Sequence, residues 1–405
     1  MDTRYKTLKY ACYSTNISMS AAANFSPILF LTFHNDYNIS YSLLGLLVLI
    51  GFVTQLIIDL IFSFFSHKFN IQKTVRIMPL LTISGFVVFA LSPVLFKDFV
   101  YLGFALGTVI FCLSAGLAEV LISPIIAAIP AKDPDSEMSK LHSVYAWGVV
   151  GVIVFATLFL TIFGRDSWQI LIFILCLIPF ISFLLFSFSN LPQMQTPERV
   201  SGAIKFLKNK SLWVCFFCIF LGGAAECTMA QWASGYLEQA LNIPKVFGDI
   251  FGVALFAVML GLGRTLYSKI GKNITRVLFL GAIGASLCYL VAAVTNIAIL
   301  GLFACGFTGF CVSMMWPGSL IVASEKFPRG GVFIYAIMAA GGDLGASIGP
   351  QMVGVITDLA LKSKAMISFV SPEQISMKLG ILSGFVFPFL AIFLYYYVMK
   401  THKKN

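Results

Sequence analysis

Long apolar stretches alternate with short polar segments along most of the chain. A transmembrane helix needs about 20 predominantly apolar residues to cross the hydrocarbon core of a bilayer. Twelve stretches come close to that length, near residues 8–33, 41–65, 75–96, 99–129, 141–163, 167–189, 211–238, 246–268, 275–295, 297–324, 332–361 and 377–399. The pattern therefore predicts an all-α membrane protein with twelve transmembrane helices, which we call spans 1 to 12.

The predicted spans form two sets of six around a polar segment that contains two prolines and four basic residues. A glycine and a proline recur with identical spacing in spans 4 and 10, as Gly116 and Pro124 and as Gly309 and Pro317. Weak internal repeats of this kind are typical of transporters that are built from two related halves. We predict an N-terminal six-helix bundle over residues 1–189, a cytoplasmic linker over 190–210 and a C-terminal six-helix bundle over 211–405.

Composition agrees with a membrane protein, because 59% of the residues are hydrophobic and only 11% are charged, whereas soluble domains have about 25% charged residues. The net charge of +10 is distributed unevenly along the chain. If both termini are cytoplasmic, the tails and inner loops carry 20 Lys and Arg residues, the outer loops carry six, and Arg264 lies within a span. This asymmetry follows the positive-inside rule. It predicts a multi-pass plasma-membrane protein, expected in a bacterial inner membrane, with cytoplasmic termini and no nucleic-acid partner.

Several classes of protein are disfavoured by the sequence. No large hydrophilic segment remains for a soluble catalytic domain, so we do not expect an enzyme. No Gly-rich phosphate loop ending in Lys-Ser/Thr is present, which disfavours ATP-driven transport. All nine cysteines fall in apolar stretches, so no disulfide framework is predicted. We expect no cofactor and no bound metal.

Glu119 is the only charged residue between Tyr101 and Ala131, in the long apolar stretch of span 4. A charge near the middle of a membrane helix costs about 2.5–3.5 kcal/mol on insertion scales and usually marks a substrate pathway or a proton relay. We therefore predict that Glu119 is the centre of a transport site.

Polar residues at four-residue spacing form a stripe on span 1: Asn16, Ser20 and Asn24. Residues four apart lie on the same face of a helix. The stripe could form hydrogen bonds with a neighbouring helix or line a water-filled cavity, and its length of two turns favours the cavity. Asp59, near the inner end of span 2, is predicted to stabilise one conformation by meeting the N-terminal end of a helix in the other half.

Span 7 carries a second acidic residue, Glu226, followed by Gln231, Trp232 and Tyr236, which offer hydrogen bonds and ring faces. Glu226 could contact the substrate, or it could join span 7 to a neighbouring helix; the two interpretations are nearly equal. In span 11, Asp343 is expected to pair with Arg264 or to cap a broken helix, a structural role that we rank ahead of substrate binding.

These features resemble the major facilitator superfamily over the whole chain. The segment Ser63–Lys73 is similar to a Gly-x-x-x-Asp-Arg-x-Gly-x-x-Lys loop of that family, with Ser63, His67, Lys68 and Asn70 at the four substituted positions. Span 7 and the sequence Trp316-Pro317-Gly318 of span 10 are similar to the fucose-permease-like sugar symporters.

The resemblance implies that spans 1, 4, 7 and 10 line a central cavity. Eight residues would then converge there: Asn16, Asn24, Glu119, Glu226, Gln231, Trp232, Tyr236 and Trp316. In the fucose-permease-like symporters a glutamate on helix 4 handles the coupled proton, and Glu119 matches its location. Those symporters also carry an acidic residue on helix 1, where this chain has asparagines.

Our leading hypothesis is a secondary transporter, expected to be a monomer, that imports a sugar or a similar polar solute by alternating access with a coupled proton. Glu119 and Glu226 are the candidates for proton coupling, although Na⁺ is an open alternative to H⁺. A second hypothesis is efflux of amphipathic or cationic compounds, since 40 phenylalanines and buried acids suit such ligands equally well. A third is a membrane sensor that keeps the fold without transport.

Overall fold

The computed structural model describes residues 5–65, 69–130, 134–192, 208–270, 273–327, 331–363 and 371–402. Within these ranges all regular secondary structure is helical. The α-helices are α1 Lys6–Ile28, α2 Phe30–Tyr37, α3 Tyr41–Phe65, α4 Ile71–Leu95, α5 Val100–Ala128, α6 Pro134–Phe163, α7 Trp168–Leu175, α8 Leu177–Ser187, α9 Lys210–Leu241, α10 Lys245–Phe247, α11 Leu255–Ile270, α12 Ile274–Val294, α13 Ala298–Val312, α14 Met315–Lys326, α15 Gly331–Lys362, α16 Pro372–Gly384 and α17 Val386–His402. A 3₁₀ turn, Arg165–Ser167, precedes α7, and a π-helix, Gly248–Ala254, joins α10 to α11.

Eleven helical segments among the described residues are long and apolar enough to cross a membrane. The first helix, α1, is 23 residues long but does not belong to this group. The polar stripe of span 1 lies on α1 and lowers its hydropathy, which accounts for the difference. The predicted all-α membrane fold is confirmed, and the protein is a multi-pass membrane protein.

The chain divides into two compact units, and the first comprises Met1–Leu29 and Val53–Arg199. In this unit α4 packs along α5, while α1 packs against α6 and α8. The fully buried ring of Phe25 lies at the centre of an aromatic cluster, with its centroid 5.2 Å from Phe86, 5.1 Å from Phe89 and 5.6 Å from Phe111. Such edge-to-face pairs contribute about 0.5–1.5 kcal/mol each beyond the burial of their area.

The second unit comprises Phe30–Phe52 and Val200–Asn405. Its most extensive packing is between α9 and α15. The start of α3 is attached to α15 because the carboxylate of Asp358 accepts hydrogen bonds from the backbone N–H groups of Tyr41, at 3.1 Å, and Ser42, at 2.7 Å. These amides belong to the first turn of α3 and lack partners within the helix, so a carboxylate from another helix caps it.

Parts of the predicted organisation fall outside the described residues. These include residues 193–207 of the linker 190–210 and residues His67 and Lys68 of the motif-like loop. The boundaries of the two bundles, the linker and the cytoplasmic location of both termini stay predictions.

Three charged residues form a cluster near the N-terminal ends of α1 and α6. Glu137 accepts a hydrogen bond from Lys9 at 2.8 Å and another from Lys140 at 3.1 Å. Glu137 precedes the membrane-spanning part of α6, which is Ser143–Phe163. The bonds from Lys9 and then from Lys140 lower the pKa of the Glu137 carboxyl below its ordinary value. Glu137 is therefore ionised at neutral pH and joins α1 to α6.

Because the pKa of Glu137 is lower in the folded state than in the unfolded state, its stabilising effect is complete above the unfolded pKa of about 4.3 and is lost as the pH falls through the folded pKa. We expect Glu137→Gln to lower the thermal midpoint of the purified protein at pH 7. The difference from the unchanged protein should shrink below about pH 4. The exposed Asp98→Asn is the control, and an equal difference at pH 7 and pH 3 would contradict this prediction.

Candidate functional site

In the first unit, two acidic side chains of neighbouring helices lie close together. A carboxylate oxygen of Asp59 on α3 and one of Glu119 on α5 are within 4.8 Å of each other. Asp59 is only 9% exposed, and its Oδ1 has no hydrogen-bond partner among the described residues. Glu119, in contrast, is exposed. The pair therefore joins a buried carboxylate to an exposed one.

A small residue allows this approach of α3 to α5. A Cβ atom added to Gly116 would lie 3.1 Å from the backbone oxygen of Gln55 and 3.1 Å from the side chain of Ile58, so the two helices touch there. Gly116 precedes Glu119 by almost one helical turn, and Ile58 precedes Asp59 by one residue. Close contact of the two backbones at Gly116 therefore brings the two carboxylates together one turn further along α5.

Glu119 projects from a different side of α5 than the apolar residues that are exposed near the start of the helix. Leu106 is 41% exposed, as expected for a residue that faces lipid. Glu119 lies thirteen positions further along the helix, which corresponds to a net rotation of about 140° around the helix axis. Glu119 is therefore exposed on a different face of α5 from Leu106.

The polar stripe of α1 forms hydrogen bonds with α6. Asn16 Nδ2 donates to the backbone oxygen of Leu141 at 2.9 Å, and Ser20 Oγ donates to that of Tyr145 at 2.9 Å. Asn24 Nδ2 donates to the backbone oxygen of Ser20 at 2.8 Å. This arrangement corresponds to the helix-pairing alternative for the stripe. Substrate contact by Asn16 and Asn24 stays a prediction.

In the second unit Glu226 of α9 forms an ion pair with Arg264 of α11. Arg264 Nη2 lies 3.2 Å from Glu226 Oε1 and 3.4 Å from Oε2, and Arg264 Nε donates to the backbone oxygen of Ser313 at 3.1 Å. The side chain of Glu226 is 15% exposed and that of Arg264 is 41% exposed. Glu226 therefore joins α9 to α11 through this ion pair. Its contact with substrate and its part in proton coupling stay predictions.

Two aromatic residues predicted to contact substrate are buried and use their polar atoms within the protein. Trp232 is 1% exposed, and its indole N–H donates to the backbone oxygen of Pro350 at 2.8 Å. Tyr236 is fully buried, and its hydroxyl donates to the backbone oxygen of Ala292. Gln231 is also buried. Substrate contacts by these three residues stay predictions, and each would have to be uncovered before it could touch a solute.

Trp316, at the start of α14, lies against two glycines. A Cβ atom added to Gly342 would lie 2.5 Å from its ring, and one added to Gly223 would lie 2.9 Å from it. The ring is half-buried, and Asp343, next to Gly342, is 3% exposed. Trp316 therefore fills the space between α9 and α15 while keeping part of its surface accessible.

Sequence reasoning did not detect the pairing of two polar residues near the end of α9. Asp249 is fully buried in the π-helix, where it accepts a hydrogen bond from Ser234 and lies 3.1 Å from Lys245. The spacing of Lys245 and Asp249 by four residues is the sequence signal for such a pair on a helix. The burial of the pair could not have been read from that spacing.

Comparison with known proteins identifies the family to which the chain belongs. A family model described as the Major Facilitator Superfamily matches residues 11–350. None of the curated proteins matches the chain significantly.

Several solved structures are similar to the whole chain. One is a bacterial homologue of the human lysosomal transporter Spinster, in an inward-facing and occupied conformation, with a TM-score of 0.80, 11% identity and coverage of 99% of this chain and 98% of that one. The xylose transporter XylE from E. coli has a TM-score of 0.69, 16% identity and coverage of 94% and 95%. The E. coli fucose–proton symporter FucP has a TM-score of 0.59, 15% identity and coverage of 96% and 99%.

At these identities the similarity shows the fold alone, whereas the family model covers most of the chain. Members of this family move small molecules across membranes and are not enzymes. The protein belongs to the Major Facilitator Superfamily of membrane transporters.

Proposed function

We propose that the protein is a secondary active transporter that moves a small polar solute by alternating access, coupled to protons through Asp59 and Glu119. The observation that carries this proposal is the distance of at most 4.8 Å between one buried and one exposed carboxylate. Two carboxylates this close repel each other when both are ionised, so the pair favours holding one proton between them. The exposed Glu119 gives that proton a route to water, which the buried Asp59 lacks.

The proposed coupling follows from the energetic difference between the charged and the neutral pair. When the pair holds one proton, it carries a single negative charge, which costs less in a partly dry environment than two charges do. When the proton leaves, the second charge favours a conformation that admits water to both carboxylates. Proton release on one side of the membrane therefore biases the conformational equilibrium, which is what coupling to a gradient requires.

A sugar is the first candidate for the solute. Two structural relatives are a xylose transporter and a fucose–proton symporter, so D-xylose and L-fucose are the first solutes to test. Efflux of cationic amphipathic compounds is the alternative, because an exposed carboxylate such as Glu119 also attracts a cationic ligand.

The test uses purified protein in liposomes with radiolabelled D-xylose or L-fucose. We expect Glu119→Gln to abolish accumulation driven by a pH gradient while solute exchange between the two sides continues, because exchange needs no net proton movement. Asp59→Asn should reduce accumulation strongly for the same reason. The exposed Glu373→Gln, which removes a carboxylate outside the pair, should accumulate solute normally.

Accumulation that is unchanged in Glu119→Gln would refute the role of the pair. If accumulation depends on a Na⁺ gradient and not on the pH gradient, the coupling ion is Na⁺, which also prefers oxygen ligands. If neither sugar is moved but a lipophilic cation is expelled and Glu119→Gln stops this, efflux is the function.

A further inference from the structure

The first unit contains a groove of about 850 Å³ that is separate from the Asp59–Glu119 pair. It lies between α6 and the two short helices α7 and α8, and Tyr13 and Ile17 of α1 also line it. Its volume is within the range of about 300–1,000 Å³ that is typical of ligand pockets. Asp59 and Glu119 do not contribute to its lining, so a ligand in this groove would not occupy the proposed proton site.

The groove exists because α6 is close to α1 at one glycine and leaves open space at the next. A Cβ atom added to Gly148 would lie 2.8 Å from Ser20 Oγ, so α6 touches α1 there. A Cβ atom added to Gly151, almost one turn later, would meet no atom within 4 Å. On the opposite wall, α7 ends at Leu175 and α8 begins at Leu177, and both helices contribute apolar residues to the lining.

The walls of the groove are apolar and open towards the bilayer. Trp147 is 70% exposed, Leu177 is 58% exposed and Phe155 is 43% exposed. In a protein that spans a membrane, exposed side chains of this type at bilayer depth contact hydrocarbon. The lining runs along α6 from Lys140 to Phe155, which is about 22 Å at 1.5 Å per residue. One leaflet contributes half of a hydrocarbon core of about 30 Å, so the groove is long enough for one extended acyl chain.

A positive charge lies at one end of this apolar groove. Lys140 lines the groove, and its side chain is 60% exposed. It belongs to the cluster with Lys9 and Glu137, which together carry one net positive charge when all three are ionised. Lysines at helix ends extend their charge to the membrane surface, and basic pockets between transmembrane helices bind anionic headgroups. Charge and shape therefore both match a lipid with an anionic headgroup.

We propose that this groove is a binding site for one anionic phospholipid, with an acyl chain between Trp147 and Leu177 and the headgroup at Lys140. The apolar length of the groove provides most of the affinity. Lys140 selects the headgroup, because Glu137 engages Lys9 more closely and leaves the larger part of the Lys140 side chain exposed. This proposal is independent of the transported solute.

The experiment measures bound lipid by native mass spectrometry on delipidated protein in detergent, with dioleoyl phosphatidylglycerol or dioleoyl phosphatidylcholine added. We expect one phosphatidylglycerol per protein, bound more tightly than phosphatidylcholine. Gly151→Leu places a larger side chain in the groove, at a position where a Cβ atom meets no atom within 4 Å, and should lower this affinity at least tenfold. Gly261→Leu is the matched control, because a Cβ atom there also meets nothing within 4 Å and the residue lies in the second unit.

A second variant tests the headgroup without altering the groove. Lys140→Gln should weaken phosphatidylglycerol binding about fivefold, the factor that corresponds to roughly 1 kcal/mol for one lysine near an anionic lipid. Binding of phosphatidylcholine should not change. The exposed Lys73→Gln, which lies outside the groove, should leave both affinities unchanged.

Equal binding of the two lipids, unaffected by Lys140→Gln, would overturn the anionic site. Equal loss of lipid in Gly151→Leu and Gly261→Leu would overturn the groove as its location. A dimer that disappears in Gly151→Leu while lipid binding persists would assign the groove to a second copy of the chain and would also overturn the proposal.

Discussion

Glu226→Ala is expected to destabilise the protein more than Arg264→Ala, although both substitutions remove the same ion pair. The guanidinium of Arg264 cannot lose its proton, so Glu226→Ala leaves a permanent charge at bilayer depth. Arg264→Ala leaves a carboxyl group that can take up a proton and become neutral. We expect Glu226→Ala to cost about 2–3 kcal/mol, less than the 3–5 kcal/mol typical of breaking a fully buried pair, because Arg264 is partly exposed.

Thermal unfolding in lipid nanodiscs at pH 7 measures the stability of the two single variants and of the double variant. The double variant should be more stable than Glu226→Ala, because it removes the charge that the single substitution leaves without a partner. The exposed Arg276→Ala is the control for loss of an arginine elsewhere. Additive losses in the double variant, or a larger loss in Arg264→Ala, would contradict the pairing of these two residues.

Gly345→Val is expected to prevent correct folding of the second unit. A Cβ atom at Gly345 would lie 1.9 Å from the backbone oxygen of Phe220 and 3.0 Å from the backbone nitrogen of Ala224. Backbone atoms of a helix cannot rotate away, so α9 and α15 would have to separate along their whole contact. Overpacking in a core usually costs about 1–3 kcal/mol, and we expect more here because the clash is with backbone.

The yield of monodisperse protein in size-exclusion chromatography, followed by the thermal midpoint, measures this effect. Gly261→Val is the matched control, since both substitutions place a β-branched residue in a helix but only one meets another helix. A normal yield and midpoint for Gly345→Val would mean that α9 and α15 are not as close as described.

The helices could be predicted from sequence because each membrane span satisfies its own backbone hydrogen bonds, so apolar length alone is a sufficient signal. Partners of polar side chains depend on the rotation and contact of helices that are far apart in sequence. Glu226 was predicted to contact either the substrate or a neighbouring helix, and no local pattern named Arg264, 38 residues later, as its ion-pair partner. The groups bonded to Trp232 and Tyr236 are backbone oxygens 118 and 56 residues away, which no local pattern indicates.

The candidate site was predictable in part. Glu119 is distinguished by its charge in a long apolar run, and that signal needs no knowledge of packing. Its neighbour Asp59 was predicted to meet the N-terminal end of a helix. The proximity of Asp59 to Glu119 was not predicted, because the approach of α3 to α5 at Gly116 cannot be read from one sequence. The groove beside α6 could not be predicted either, because its only signals in the sequence are a few glycines and one lysine at a helix end.

The attachment of α3 to α15 has a consequence for biosynthesis. Asp358 is 317 residues after Tyr41 in the chain, and the second unit includes Phe30–Phe52. At about 5–20 residues per second, a ribosome makes Asp358 on the order of 15–60 s after Tyr41. The residues of the first unit are synthesised long before the second unit can close. During that interval the first amides of α3 lack the carboxylate that later caps them, so other acceptors such as water must take its place.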